Sequence, residues 1–411
     1  MKKFLNKQCY LVTGANHGAI YDLKKEQVYS INNASVKLIK DVLSNKIKEM
    51  DTEQTKYINQ LISLELLTTK KTVHVQDPST YKMKLNFAWL ELTDLCNLNC
   101  VHCYGEFGKP SLEAKERLNL DDWKKVIDTL ISYNCESIQF IGGEPLAYKN
   151  FSDILEYAGE SKIKDITVFT NATLLNEELV SLFQKYNVNV RVSVYGHNSN
   201  IHDEITGVQG SFLKNKEALL LLKKYKIDTS IAIVIMKENE QYLEEIKKYL
   251  KSIDYKYNGY DVIRKTDFNH QSKHSITDYK LLKNRYIINP EFHITQQSFW
   301  LNHFYNPCWN SKISISANGD VLPCVFTRDI TFGNIKKDAI DTIKNEAKKY
   351  WTLTKDKIEV CKDCEFRYCC HDCRPLAIGI NGDINSKYPR CCYNPYEGKW
   401  QDIETCSKEI I

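Results

Sequence analysis

The stretch LTDLCNLNCVHCYGEFG places three cysteines, Cys96, Cys100 and Cys103, within eight positions. Thiolates are ligands for soft metals, and three on one loop can serve a single centre. Zinc takes four ligands, usually in two close pairs. This loop has no evident fourth, unless His102 serves. A 4Fe–4S cube held by three cysteines keeps one iron open to a further ligand. The spacing favours such an open centre, with structural zinc completed by His102 as the alternative. Further on, SIQFIGGEPLAY sets Gly142, Gly143 and Glu144 directly after an apolar run. Glycines there let backbone approach a ligand closely, and Glu144 is suited to a charged amino group.

The remaining cysteines say where else metal chemistry is expected. Of the 15 in the chain, only Cys135 falls between Tyr104 and Pro307, and most of the rest follow residue 307. The segment CKDCEFRYCCHDC and the pair Cys391–Cys392 carry too little apolar content to fold by burial alone, so ligated metal is expected to stabilise them. The sequence MKKFLNKQCYLV begins with basic residues but has no long apolar run, and no segment reaches membrane-spanning length. A cytoplasmic protein with reduced thiols is the expectation. A net charge of +4 is too mild to argue for nucleic acid, and the lysine-rich helices read as solvated faces.

The elements that must position these residues fall into three parts. Residues 1–84 read as a small winged-helix-like module, with short strands around Tyr21–Leu23 and Val28–Ile31 followed by two amphipathic helices. Residues 85–290 alternate strand-like runs (FAWLEL, SIQFI, ITVFT, VNVRVSV, SIAIVIM, GYDVI) with helical segments. That alternation predicts an α/β fold with a parallel sheet covered by helices, as an open partial (β/α)6 barrel. Chemistry in such barrels sits on loops at the C-terminal strand ends, where the three-cysteine loop falls. Residues 291–411 form a cysteine-rich tail, with a hairpin turning at Asn318-Gly319 between Cys308 and Cys324.

Taken together, CNLNCVHC and GGEP resemble the radical S-adenosylmethionine (SAM) enzymes. The resemblance implies that Cys96, Cys100 and Cys103 bind a 4Fe–4S cluster whose open iron chelates SAM. It implies that His102 lies beside the adenine, that Gly142, Gly143 and Glu144 form the methionine-amine contact, and that Ser193 meets the ribose or carboxylate. Asn171 is a weaker candidate for the same ligand. Where some relatives carry an arginine after the fourth strand, this chain reads HDEITG with Thr206, which leaves the carboxylate contact open. The tail resembles the SPASM domain, which holds two auxiliary 4Fe–4S clusters. By that analogy one cluster takes Cys361, Cys364, Cys370 and Cys391, and the other Cys308, Cys324 and Cys373. Cys369 in place of Cys370, and Cys392 in place of Cys391, remain alternatives. The first module resembles the peptide-binding domain of pyrroloquinoline quinone biosynthesis, implying that a leader peptide adds along the edge of its sheet.

The three resemblances imply a radical SAM peptide maturase. A 5′-deoxyadenosyl radical would remove hydrogen from a ribosomally made precursor peptide, with electrons from a donor such as flavodoxin or ferredoxin. Upstream of Cys308 only His303 and Tyr305 offer a further ligand, so an iron open to a substrate thiolate, and hence a thioether product, is the expectation. Alternatives are a carbon–carbon cross-link, oxidation or epimerisation of the peptide, a sulfatase-maturase-like activity, or a non-enzymatic iron–sulfur electron carrier. No residue stands at a spacing that marks a general base.

Overall fold

The computed structural model describes residues 2–47, 49–72, 81, 83–105, 107–108, 116–265, 273–278, 280–282, 292–402 and 406. Its first part holds strands β1 (Phe4–Leu5), β2 (Cys9–Thr13), β3 (His17–Asp22) and β4 (Gln27–Asn32), then helices α1 (Asn33–Leu43) and α2 (Thr52–Ser63), then β5 (Leu67–Thr68). Strands β2, β3 and β4 form an antiparallel sheet in that order, and β1 pairs with β5. Local chemistry starts both helices. Asn32 caps α1 through the Ser35 amide, and Asp51 with Gln54 forms a reciprocal capping box on α2.

The central sheet is built from the apolar runs. Strands β6 (Phe87–Thr93), β7 (Ser137–Gly142), β8 (Asp165–Thr170), β9 (Asn189–Ser193) and β10 (Thr229–Ala232) lie side by side in parallel. After a break at Ile233, β11 (Val234–Ile235) pairs with β12 (Asp261–Val262), the sixth expected strand, as a separate ladder. Helices α3 (Leu120–Ser132), α4 (Phe151–Gly159), α5 (Glu177–Lys185), α6 (Ser199–Thr206), α7 (Ser211–Lys224) and α8 (Leu243–Ser252) fill the crossovers. The period of two along each strand sorts side chains between two environments. Ile138, Phe140, Val168, Val190 and Val192 are buried in one core with Trp123, Ile127, Ile154 and Phe183 of the helices. Gln139, Phe169, Arg191 and Ser193 point into the concave side instead.

The tail adds α9 (Gln296–Phe304), the hairpin strands β13 (Lys312–Ile315) and β14 (Asp320–Leu322), β15 (Gly333–Asn334), α10 (Ile340–Trp351), α11 (Arg374–Asn381), β16 (Tyr393–Asn394) and β17 (Lys399–Trp400). The hairpin does not stand alone. Strand β13 pairs in parallel with β6, so that the sheet runs β10-β9-β8-β7-β6-β13-β14-β15. The barrel and the cysteine-rich tail therefore share one sheet. The expected boundary between them, at residues 290 and 291, lies outside the described residues.

The first module is also less separate than its composition suggests. Val12, Ala19, Tyr21, Leu23 and Val28 pack in one cluster with Phe299, Trp300, Phe366, Tyr368 and Tyr393 of the tail. Tyr21 donates its hydroxyl to the Glu365 carbonyl at 2.9 Å. Among the described residues no helix is long and apolar enough to cross a membrane.

Candidate active site

The three-cysteine loop leaves the C-terminal end of β6 and is held by backbone contacts with the turn after β7 and with α6. Gly143 donates to the Thr93 carbonyl and Glu144 to the Leu95 carbonyl, each at 2.8 Å. A Cβ on Gly143 would lie 2.2 Å from the Leu95 oxygen, and one on Gly142, whose φ is +139°, would lie 2.4 Å from the Thr93 oxygen. Both glycines line the cavity, yet what forbids a side chain is the backbone entering the cysteine loop. The close backbone approach expected of these glycines is thus made to the cysteine loop as well as at the cavity wall.

The far side of the loop leans on α6. Asn99 donates to the Thr206 carbonyl at 2.9 Å and Val101 to the Ile205 carbonyl at 3.0 Å. Thr206 is fully buried, with its hydroxyl against Ser211 at 2.6 Å, and is not among the cavity-lining residues. The segment HDEITG thus braces the loop. Asn171 acts alongside it: its side-chain amide donates to Asn97 of the loop at 3.0 Å, while its side-chain oxygen accepts from the Thr173 amide.

The loop and the strand ends enclose a cavity of about 570 Å³. It brings together every residue expected there: Cys96, Cys100, His102, Cys103, Gly142, Gly143, Glu144, Asn171 and Ser193. Glu144 is buried and accepts hydrogen bonds from the Thr170 hydroxyl at 2.6 Å and the Asn171 and Leu146 amides at 2.8 and 3.1 Å. Burial nevertheless pushes its carboxyl up to about 7, since three neutral donors only partly replace water. A cationic ligand group would restore the carboxylate. His102 is held neutral, its pKa lowered to about 3 by burial and by His274, and its ring meets Tyr195 edge-on at 4.6 Å. Among the described residues its buried Nδ1 has no hydrogen-bond partner.

Burial raises Cys96 to about 11 and Cys100 higher still, with Cys103 adding to the latter. Such thiols ionise when a metal replaces the proton. Among the described residues no three His, Cys, Asp or Glu side chains converge on one ion position. A single zinc ion needs that convergence, whereas a multi-iron cube spreads its ligands around a larger body. The donor set fits an iron–sulfur cluster with a polar, amine-accepting neighbourhood.

The tail cysteines divide as the spacing divides them. Cys361, Cys364, Cys370 and Cys391 line one pocket. Cys369 does not line that pocket: its thiol donates to the Phe366 carbonyl, lies 3.5 Å from the Tyr21 hydroxyl and contacts Cys370. Cys392 is joined to Cys406 in a disulfide, an exception to the expectation that the thiols are all reduced. Lys355 lies buried at the same pocket. Burial works against its charge, but Asp372, Cys361 and Cys370 outweigh that and raise its pKa. A buried lysine among thiols suits an anionic cluster.

In the second group, Cys308 and Cys373 share a hydrogen bond that raises the first and, with Arg264 and Arg390, lowers the second. Cys324 feels Cys373 as well. Neither candidate for a further ligand lines the cavity, although among the described residues the buried Nδ1 of His303 has no hydrogen-bond partner. His303 packs on Tyr368 at 4.7 Å, and the Tyr305 hydroxyl accepts from the Met83 amide. The cavity reaches this group, since Val325, Phe326 and Arg264 line it beside Cys324.

Several site residues were not visible in the sequence. Asn215, fully buried, ties the ends of β8 and β9 by donating to the Asn171 and Ser193 carbonyls at 3.0 Å each. Arg328 forms a two-pronged ion pair with Glu91 at 2.8 Å and lies over Tyr104 of the cysteine loop. Arg264 stacks on Phe326 at 4.6 Å. Tyr195 follows Ser193 in VSVYG and could have been found by its place at a strand end; the others have no motif.

Comparisons with known proteins agree with this geometry. Residues 90–250 match the radical SAM superfamily, and residues 308–365 match SPASM, an iron–sulfur cluster-binding domain. The antilisterial bacteriocin subtilosin biosynthesis protein AlbA of Bacillus subtilis is 29% identical over 339 residues, covering 78% of this chain and 74% of its own. An AdoMet-dependent heme synthase of Methanosarcina barkeri is 27% identical over 344 residues, covering 75% of this chain and 96% of its own. The crystal structure of Streptococcus suis SuiB bound to precursor peptide SuiA shares the fold, with a TM-score of 0.57 at 14% identity over 94% of this chain and 98% of that one. The chain is an enzyme that carries a radical SAM domain followed by a C-terminal SPASM domain, and the cofactors of these domains are a 4Fe–4S cluster, SAM and auxiliary iron–sulfur clusters.

Proposed function

We propose that this enzyme matures a ribosomally made precursor peptide by joining a cysteine sulfur of the peptide to one of its carbons. The observation that carries this reading is the reach of one cavity, from the Cys96–Cys103 loop at one end to the wall beside Cys324 at the other. When bound, the cluster and SAM supply a carbon-centred radical that removes hydrogen, and an auxiliary cluster accepts one electron. Cys96, Cys100 and Cys103 hold the first cluster, with His102, Glu144 and Ser193 around SAM and Gly142, Gly143 and Asn171 keeping the loop in place. Cys361, Cys364, Cys370 and Cys391 hold one auxiliary cluster. Cys308, Cys324 and Cys373 offer the other only three thiolates, which leaves room for a substrate thiolate. The barrel orients the reacting carbon and excludes water. One C–H and one S–H bond break and one C–S bond forms, so two hydrogens leave.

Peptide recognition is assigned to residues 1–84, the radical reaction to 85–290 and the auxiliary clusters to 291–411. Part of the expected docking edge is already taken. Gln27 of β4 bridges His293, with Val28 donating to the Phe292 carbonyl and Ile294 to the Glu26 carbonyl. Outward-facing backbone groups recur every second residue, so Ser30 and Asn32 present the next ones. The leader adds there, beside α1. A small electron-transfer protein such as flavodoxin or ferredoxin supplies the electrons. Similarity to a heme synthase raises a porphyrin as a rival substrate, but the front module with its strand edge favours a peptide.

Co-expression with the short peptide encoded beside the gene, followed by mass spectrometry, tests this. The product should be two hydrogens lighter per cross-link, with one thiol lost each time. A product two hydrogens lighter whose cysteines all still alkylate would replace the thioether with a carbon–carbon bond.

A further inference from the structure

Strand register defines the layer of the barrel directly beneath Asn171 and Ser193. Glu91 pairs with Ile141, Phe169 with Arg191, and Arg191 with Ser230. Ile141 stands one place beyond the Phe140–Val168 pair, level with Phe169. Two of these residues carry charge. The Glu91 carboxylate is taken by Arg328. Arg191 is different: it lines the cavity, its guanidinium lies over the Phe169 ring at 5.5 Å, and among the described residues no carboxylate pairs with it.

The other charged groups of the cavity wall are occupied by partners of their own. Glu144 accepts from Thr170, Asn171 and Leu146, and Asp261 pairs with Arg264 at 3.2 Å. Ile141, Phe169 and Ser230 beside Arg191 are uncharged, as are Trp89 and Gln139 below. A guanidinium on the wall of a cavity, backed by an aromatic ring and next to no acid, is built to take a planar anion in two parallel hydrogen bonds. Two carboxylates could reach it: that of SAM, or an acidic side chain of the substrate. The level separates them. Arg191 stands two residues, one inward-facing position, before Ser193, deeper in the barrel than the ring of loop and strand-end residues proposed around SAM.

We infer that Arg191 binds an Asp or Glu side chain of the peptide segment held in the barrel, and so selects which segment reacts. The inference rests on the peptide reading of this site. A test uses two fluorescein-labelled hexapeptide pools with random positions free of acids, one position being Asp or Glu in the first pool and Asn or Gln in the second. Anisotropy is measured with the reconstituted full-length enzyme and SAM. The acidic pool should bind about tenfold tighter, the size of one charge-assisted contact. Arg191→Gln should bring the ratio to about one and Arg191→Lys should keep part of it, with SAM affinity by equilibrium dialysis unchanged in both. Arg191 held only for barrel shape would alter stability without altering the ratio.

Equal binding of the two pools by the wild type, or an unchanged ratio in Arg191→Gln, overturns the inference and leaves the peptide reading standing. So does a loss of SAM affinity in Arg191→Gln with discrimination intact, which would give the guanidinium to SAM. Failure of the wild type to bind either pool overturns this inference, whereas the peptide reading stands or falls separately on the co-expression product.

Discussion

At the scale of single residues, the site is arranged so that a few atoms decide whether the loop can hold its cluster. Changing Cys96, Cys100 and Cys103 together to Ala should abolish 5′-deoxyadenosine formation under reducing conditions while iron bound by the tail persists. Continued SAM cleavage by that variant would misplace the proposed catalytic cluster. Gly143→Ala tests a finer point. The added methyl meets the Leu95 carbonyl rather than open space, so it should displace the loop. The expected outcome is a stability loss of about 1–3 kcal/mol, as for overpacking, together with reduced iron loading. Normal loading and stability with weakened SAM binding would return this glycine to a ligand-approach role. In the tail, Cys370→Ser should lose an auxiliary cluster and Cys369→Ser should keep it, read by iron content and absorbance. The pocket includes the first thiol, and the second is hydrogen-bonded to Phe366 and Tyr21.

At the scale of elements, the edge of β4 makes the sharpest claim. Residues 292–294 already bond its first half through Glu26 and Val28, and the period of two hands the next outward amide to Ser30. Ser30→Pro removes that donor at an edge position that a proline tolerates. It should weaken leader binding severalfold while leaving peptide-independent SAM cleavage at its wild-type rate. Unchanged leader affinity, measured by anisotropy with labelled leader, would move the docking site away from this edge. The point variant is cleaner than removing the module, because β3 and β4 contribute Tyr21 and Val28 to a cluster shared with α9 and the tail. Deletion would expose apolar surface of the tail as well as removing the edge.

Across the whole molecule, the tail is part of the barrel's wall. Strand β13 extends the sheet beside β6, and Arg328 reaches from the segment after Cys324 to Glu91 on β6. Glu91 is almost wholly buried, so removing its charge leaves Arg328 with an uncompensated cation over Tyr104. Glu91→Gln should cost about 3–5 kcal/mol, the scale for breaking a buried pair. Anaerobic chemical denaturation measures it, and a change under 1 kcal/mol would mean that solvent already screens the pair.

By itself the sequence determined which chemistry the protein carries. Ligand identity depends on residue type and close spacing, which are local, so Cys96, Cys100, Cys103 and the GGEP turn were legible and the cavity brings them together. The strand runs were legible for the same reason, since alternation between helix-facing and cavity-facing positions is written within each run. Tertiary structure decided what depends on contacts far apart in the chain. Cys369 and Cys370 are adjacent and chemically identical, and only the folded structure puts one in the pocket lining and the other against Phe366 and against Tyr21, some 350 residues earlier. The pairing of β13 with β6, the Glu91–Arg328 ion pair and the role of Thr206 as a brace have no local signature. Arg191 is the clearest case. In VNVRVSV it reads as any exposed arginine on an alternating strand, and closure of the sheet alone turns that exposed face into the wall of a cavity.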